Sequence, residues 1–248
     1  MDAAPGVTGL VGHVAPKFRL PGMRDTDNVK AFFEEFTRFE AEYDSPDPLK
    51  RLPNFVVMSL GENHTQGTRA GAPTPSAAVA NNDWAVGQLV DRVTHSKYWA
   101  NTAIFIIEDD AQNGPDHVDS RRTVGLVISP FTKRKVVDST LYTTSSMLRT
   151  MELLLGLPPM TQYDAGATPM YAAFMDTADL TPYTHVGPEV DVNAKNTALA
   201  WGAKESGEMD FSDYDRAPEF ALNEILWKSV RGARSQMPLP VRHFHFRY

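Results

Sequence analysis

The sequence predicts an α/β fold with a mostly parallel sheet flanked by helices. Short, nearly continuous apolar runs are typical of buried strands, and they alternate with longer segments whose apolar residues recur every three or four positions. Strands that alternate with helices form sheets covered by helices on both faces. The 248 residues, 42% of them hydrophobic, are enough for one large domain or two small ones.

Four segments are predicted to be helical. In the first, 29–43, four phenylalanines stand at helical spacing with acidic residues between them, which predicts an amphipathic helix packed on a core. The same periodicity predicts helices over about 75–96, 144–155 and 218–231. The stretch "GLPPM" follows the third helix and is a typical stop, with Gly at the end and Pro beyond it.

Three apolar runs are predicted to be strands, and they are "NFVVMSL" (54–60), "TAIFIIE" (102–108) and "TVGLVISP" (123–130). In parallel sheets, binding sites form at the carboxyl ends of the strands. The polar loops that follow the first two strands are therefore expected to face each other across one crevice.

Composition sets the domain organisation and excludes several classes of partner. Residues 1–170 are predicted to form the α/β core, and residues 171–248 an irregular extension with one helix packed on that core. A net charge of −7 without a basic stretch argues against nucleic acid. No apolar run approaches the roughly 18 residues of a membrane span. The N-terminus lacks the features of a signal peptide, and the absence of cysteine excludes disulfides and thiolate metal sites.

In the stretch "FIIEDDAQNGPDHVDSRRT" (105–123), a predicted strand is followed directly by a run of acidic residues. Asp109, Asp110 and His117 offer oxygen ligands and one imidazole, which suit Mg, Ca or Mn and also Zn or Fe. His64, in the loop after the other strand, is a further candidate ligand. The alternative is a solvated acidic turn that arginines 121 and 122 neutralise, and spacing alone leaves both interpretations open.

Several stretches between residues 52 and 242 together resemble one family. They include "LPNFVVMSLGENHTQGT", "TPSAAVANNDWAVGQLVDRV", "IIEDDAQNGPDHV" and "LLLGLPPMTQYDAGATPM". The chain resembles the alkaline phosphatase superfamily, and most closely its bacterial phosphoesterases related to phospholipase C and acid phosphatase. The resemblance implies an alkaline-phosphatase-like sheet and a divalent metal ion, either Zn, Mn, Ca or Mg. It places Asp109 and Asp110 at metal-ligand positions and His117 and His64 at positions that bind metal or contact phosphate. Glu62 is a further candidate metal ligand, and Asp109, His117 and His64 are the expected catalytic residues.

Two departures from the family pattern stand out. Relatives carry Asp directly before the histidine of the first loop, whereas this chain has Asn63 there and its acid, Glu62, one place earlier. The early segment with the Ser or Thr nucleophile has no counterpart, so the chain is expected to correspond to the C-terminal part of such a protein and to lack its N-terminal half. Localisation stays unknown, although the resemblance suggests exported or periplasmic relatives.

The predicted function is metal-dependent hydrolysis of a small phosphoester, either a monoester or a diester, with attack by metal-activated water. Two alternatives stay open: a non-catalytic metal- or ligand-binding remnant, and a carboxyl-ester hydrolase that uses the same crevice. Thr65 and Thr68 are either replacement nucleophiles or loop hydroxyls. Because an incomplete sheet exposes a strand edge and apolar surface, a homo-oligomer, most simply a dimer, is expected.

Overall fold

The computed structural model describes residues 8–18, 23–109, 123–212 and 216–239. Within these ranges the fold is α/β, with six α-helices and one two-stranded sheet. The elements are α1 (Asp25–Ala41), α2 (Pro75–Thr94), β1 (Ile104–Ile107), β2 (Gly125–Ile128), α3 (Thr144–Leu155), α4 (Gln162–Ala165), α5 (Ala203–Glu208) and α6 (Glu219–Arg231). Short 3-10 helices lie at Thr8–Leu10, Pro48–Lys50, Trp99–Asn101 and Tyr171–Ala173. None of the described helices is both long and apolar enough to cross a membrane.

The four helices predicted from periodicity are α1, α2, α3 and α6, and local signals explain where they begin and end. At the start of α2, the Thr74 hydroxyl accepts a hydrogen bond from Ala77 N (3.1 Å) and Pro75 takes the first helical position. Helix α3 has the predicted bounds because Thr143 and Ser146 form a capping box and Gly156 ends the helix at φ +69°.

The best-packed part of the protein lies between α1 and α2. Phe36 of α1 is fully buried, with its ring centroid 5.4 Å from that of Phe32 and 5.8 Å from that of Tyr98. The Arg92 guanidinium of α2 lies over the Phe36 ring at 5.0 Å. A second buried cluster, Met209, Leu222 and Ile225, joins α6 to the segment that precedes it.

The prediction of a mostly parallel sheet is wrong for the described residues. Strands β1 and β2 are antiparallel neighbours, with Ile104 opposite Ile128 and Ile107 opposite Gly125. A parallel pair needs a crossover of about a dozen residues or more, usually a helix, whereas antiparallel strands need only a loop. No helical periodicity separates the two runs in the sequence, and this missing crossover was the signal for antiparallel pairing.

The predicted strand at 54–60 is also wrong, because the segment does not pair with any described strand. Its two ends are fixed by side chains: Leu52 N donates to Tyr98 Oη (3.2 Å), and Asn82 Nδ2 donates to Leu60 O (3.4 Å). Phe55 is 54% exposed and Val57 is 78% exposed. The composition suits a strand, but a strand forms only where a partner strand lies beside it.

The irregular segment after residue 190 is joined to the loop at 61–74. Asn196 Nδ2 donates to the carbonyl oxygens of Gly67 (3.3 Å), Arg69 (3.3 Å) and Pro73 (3.0 Å). Backbone hydrogen bonds from Gly71 N to Asn196 O and from Asn196 N to Ala72 O, both 2.9 Å, continue the contact. The predicted division into 1–170 and 171–248 stays a prediction.

Candidate functional site

The first part of the predicted site is the loop that carries Glu62 and His64. A turn closes it, in which His64 N donates to Gly61 O at 3.1 Å, and the His64 side chain is exposed. Gly67 has φ +56°, a conformation that favours glycine, and a Cβ at this position would come within 2.6 Å of Ser206 Oγ. Gly67 therefore fixes the backbone conformation of this loop, and the same loop carries the exposed His64 imidazole.

The Glu62 carboxylate is engaged at both oxygens. Arg24 Nε donates to Glu62 Oε1 at 2.7 Å, Arg24 Nη2 lies 2.6 Å from the same oxygen, and Asp25 N donates to Oε2 at 3.0 Å. Arg24 is held in turn by Asn193 Oδ1 (3.0 Å) and the Val192 carbonyl (2.8 Å). These contacts pair the Glu62 charge with a guanidinium and use three of the roughly four acceptor sites of the carboxylate, so they favour a structural role for it.

Asp25 completes the junction between α1 and the loop. It is buried in the first turn of α1, where a carboxylate is favoured by the helix dipole. Its Oδ1 accepts from Gly61 N (3.2 Å), and its Oδ2 accepts from Glu62 N and from Asn82 Nδ2, both at 2.8 Å. The two acidic residues thus exchange hydrogen bonds through each other's backbone N–H groups, and the loop is fixed to two helices.

The second part of the predicted site follows β1. Glu108 N donates to Val124 O at 3.2 Å, and the Thr123 hydroxyl donates to Glu108 O at 3.0 Å. The residue that follows β1 is therefore held against the two residues that precede β2. Asp109 comes next and is exposed. Asp110 and His117 lie outside the described residues, as do arginines 121 and 122. Among the residues that are described, no three His, Asp or Glu side chains are grouped so as to hold a metal ion.

The correction of the sheet changes one argument for this site. His64 and the Asp109–Asp110 pair were expected to meet because both followed strands of one parallel sheet. Since 54–60 does not pair with a described strand and β1 is antiparallel to β2, shared strand ends no longer support that expectation. The convergence of these side chains stays a prediction.

The threonines of the first loop serve its internal structure. Thr68 is only 2% exposed; its hydroxyl donates to Trp201 O (2.7 Å) and its backbone N donates to Ser206 Oγ (3.0 Å). Thr65 is also buried, and its hydroxyl accepts from Gly67 N at 3.2 Å. A nucleophile has to reach substrate, so burial and these contacts favour the loop-hydroxyl interpretation.

Sequence reasoning missed the residues that position the first loop. These are Arg24, Asp25, Asn82 and Asn196. The cluster "RDTDN" before the apolar periodicity was a signal for the start of a helix, and it places α1 four residues earlier than predicted. No sequence signal identified their partners, which lie between 22 and 169 residues away along the chain.

A different titratable cluster lies at the C-terminal end of α2. His185 Nδ1 contacts Asp91 Oδ2 at 2.6 Å, and His95 Nδ1 lies 3.0 Å from Asp91 Oδ1. Burial acts to raise the pKa of Asp91, but the hydrogen bonds from the His185 backbone and ring outweigh it and hold this pKa below its ordinary value. The cluster attaches the 185 region to α2.

One comparison with known proteins bears on this site. Residues 49–158 match the model of the Phosphoesterase family. The matched range contains all five predicted site residues, together with α2, both strands and α3. No curated protein and no solved structure matches the chain. The match supports a relationship to the Phosphoesterase family, and the finer assignment to the alkaline phosphatase superfamily stays a prediction.

Proposed function

We propose that the protein is a metal-dependent hydrolase of small phosphoesters. The observation that carries the proposal is the match of residues 49–158 to the Phosphoesterase family, because it encloses both loops of the predicted site. Phosphoester hydrolysis is what the family description implies. The metal dependence, the phosphomonoester or phosphodiester substrate and the active-site residues belong to the proposal as well.

Two exposed side chains are proposed to face the substrate. His64 presents an imidazole from a loop that hydrogen bonds fix to α1 and to the segment around Asn196. Asp109 stands directly after β1. Fixed supports of this kind favour catalysis because they hold a reacting group in one geometry before substrate arrives.

The proposed metal ligands are Asp109, Asp110, His117 and His64. A divalent ion bound there would polarise the phosphoryl oxygens and lower the pKa of bound water. Glu62 fits this set less well, because Arg24 and the backbone of Asp25 already occupy its two oxygens. We therefore assign Glu62 to the positioning of the His64 loop and leave the metal to the other four residues.

The direct test is hydrolysis of an aryl phosphoester in the presence of Mg²⁺, Ca²⁺, Mn²⁺ or Zn²⁺. Activity should require one of these ions and should disappear in excess chelator. Asp109→Ala should lower it by more than about 100-fold, because losing a metal ligand should cost more than the roughly 10–100-fold that follows the loss of a group supporting a ligand. Asp44→Ala is the matched control, because Asp44 is an exposed aspartate outside the matched range, and it should leave activity unchanged. Turnover that survives chelation or the Asp109 substitution would contradict the proposal.

A second candidate, a non-catalytic metal-binding remnant, is favoured by two contacts. Glu62, a predicted metal ligand, forms a salt bridge with Arg24. Thr68, a candidate nucleophile, is buried. Both residues therefore have structural roles. Calorimetric titration with Mn²⁺ separates the candidates: binding that depends on Asp109 without turnover supports the remnant. An aryl acetate in the same assay tests the carboxyl-ester alternative, which predicts faster cleavage of the acetate than of the phosphoester.

A further inference from the structure

Glu152 of α3 is a buried carboxyl group, and only one of its two oxygens accepts a hydrogen bond from the described residues. The residue is 4% exposed. Arg149 Nη1, one helical turn earlier, donates to Glu152 Oε2 at 3.1 Å, whereas Oε1 is enclosed by protein and accepts no hydrogen bond from the described part of the chain. Burial removes the water that would solvate a charge on Oε1, so an ionised carboxylate is costly in this position. A proton on this oxygen would remove the charge that burial disfavours.

The neighbour of Glu152 on α4 is a second buried carboxyl group, Asp164. Asp164 is 2% exposed, and its side chain lies within hydrogen-bonding reach of the Glu152 side chain. The two Asp164 oxygens accept hydrogen bonds from Met160 N (2.6 Å), from Thr161 N (2.9 Å) and from the Thr161 hydroxyl. The hydrogen bond from the Thr161 hydroxyl, supported by that from Met160 N, outweighs burial and lowers the pKa of Asp164 to about 2. Asp164 is therefore the ionised member of the pair.

Two carboxyl groups can hydrogen-bond to each other only when one of them carries a proton, because an ionised carboxylate has no donor. If both groups were ionised, two like charges would be held side by side away from water, which is strongly disfavoured. Three donors hold Asp164 in its charged form, whereas Glu152 has one, Arg149. The proton therefore belongs on Glu152, and Oε1 is the oxygen that can carry it, since Oε2 accepts from Arg149.

We propose that Glu152 carries a proton on Oε1 and donates it to Asp164, so that α3 and α4 are joined by a hydrogen bond that depends on one proton. The ionisable groups that the described structure brings to this contact are Arg149 and Glu152 of α3 and Asp164 of α4. Loss of the proton at alkaline pH places two negative charges next to each other in the interior and weakens the packing of α4 on α3. The pair is thus a pH-sensitive contact built into the fold, and it does not depend on the proposed enzymatic activity.

The shared proton has a defined consequence for the pH dependence of stability. In the unfolded chain a glutamate loses its proton near pH 4.3, roughly its ordinary pKa. At pH 5–7 the folded protein therefore holds one proton more than the unfolded chain, and the unfolding equilibrium constant rises about tenfold per pH unit through this group. The stabilisation is complete below about pH 4.3 and is lost progressively as pH rises, until the folded pair itself ionises.

Urea denaturation of wild type and Glu152→Gln at pH 5, 6 and 7 tests this consequence. The amide of the variant can donate to Asp164 at every pH, and all other titrating groups are common to both proteins. The ratio of the wild-type to the variant unfolding constant should therefore rise about tenfold per pH unit. The matched control is Glu35→Gln, because Glu35 pairs with Arg38 at the same three-residue spacing (3.0 Å) on a solvent-facing part of α1, and its ratio should stay constant. A constant ratio for Glu152→Gln as well would overturn the proposal.

Carbon-13 NMR of the wild-type protein, labelled at its glutamate side-chain carboxyl groups, is the second test and does not depend on the folding of a variant. One glutamate signal should keep the chemical shift of a protonated carboxyl group at pH 7, while the exposed glutamates show ionised carboxylates. The protonated signal should disappear in Glu152→Gln and remain in Glu35→Gln. A spectrum in which every glutamate is ionised at pH 7 would overturn the proposal, and so would a protonated signal that persists in Glu152→Gln.

Discussion

Two regions of the described fold differ in how completely they bury their apolar side chains and hydrogen-bond their polar ones. Around α1 and α2, the packed region, Phe36 is fully buried and the buried Asp25 accepts hydrogen bonds from three donors of the loop and α2. Around β1, β2 and α3, the exposed region, Leu126, Leu154 and other apolar side chains face outward. A two-stranded sheet is too small to bury both of its faces.

This difference bears on the candidate site, because its two loops lie in different regions. Glu62 and His64 belong to the packed region and are held by Arg24, Asp25 and Asn82. Asp109 follows β1 in the exposed region. The loop of Glu62 and His64 is therefore held by contacts with α1 and α2, whereas Asp109 is an exposed residue at the end of β1.

The largest expected contrast between the regions is one of stability. Phe36 of α1 is 0% exposed, and Phe36→Ala should lower the free energy of unfolding by about 3–5 kcal/mol, through lost transfer energy and a cavity. Leu141, before α3, is 80% exposed, and Leu141→Ala should change it by less than about 0.5 kcal/mol. Urea denaturation of both variants measures the difference. Equal costs would show that the regions are packed alike.

The next effect concerns the salt bridge that positions the His64 loop. Arg24→Met and Glu62→Gln should each destabilise the protein, and the double variant should lose less than the sum of the two. A coupling energy of about 0.5–3 kcal/mol is expected for residues in one hydrogen-bonded network. Because the Arg24 side chain is about a quarter exposed, solvent screening favours the lower part of this range. Strictly additive effects would mean that Glu62 is available to other partners.

The smallest effect tests a local motif beside the exposed region. The hydrogen bond from the Thr161 hydroxyl, aided by backbone N–H groups, lowers the pKa of Asp164 to about 2. Because this value lies below that of an unfolded Asp, about 3.9, the stabilisation by Asp164 is complete above about pH 4 and is lost as pH falls towards 2. The difference in Tm between wild type and Asp164→Asn should narrow over that interval. A difference that stays constant down to pH 2 would contradict this assignment.

The helices were predictable because their signals are local. Amphipathic spacing, the Thr74–Pro75 start of α2 and Gly156 after α3 all act within a few residues of the backbone that they order. The early start of α1 also has a local signal, the cluster "RDTDN", whereas the contacts that hold Asp25 there reach the loop at 61–62, more than 35 residues along the chain.

The strand pairing and the contacts that hold the loop at 61–74 were harder to predict, because both join residues that are far apart in the sequence. An apolar run such as 54–60 shows that burial is favourable, but the run does not specify which strand pairs with it. The antiparallel direction of β1 and β2 could have been predicted, because the sequence between them shows no helical periodicity. The anchoring of the loop by Asn196 joins residues more than 120 positions apart, and a polar residue in an irregular segment carries no sign of such a partner.

The most direct test of the proposed function is the anomalous scattering of Mn²⁺ in crystals grown with that ion. We expect a peak roughly 2.0–2.6 Å from the Asp109 carboxylate, the usual range for metal–oxygen bonds, with further ligands from Asp110, His117 and His64. Glu62 should keep its contacts with Arg24 in the same crystals. A Mn²⁺ peak on Glu62 with Arg24 displaced, or full phosphoesterase activity in crystals without a peak at Asp109, would contradict the proposed metal site.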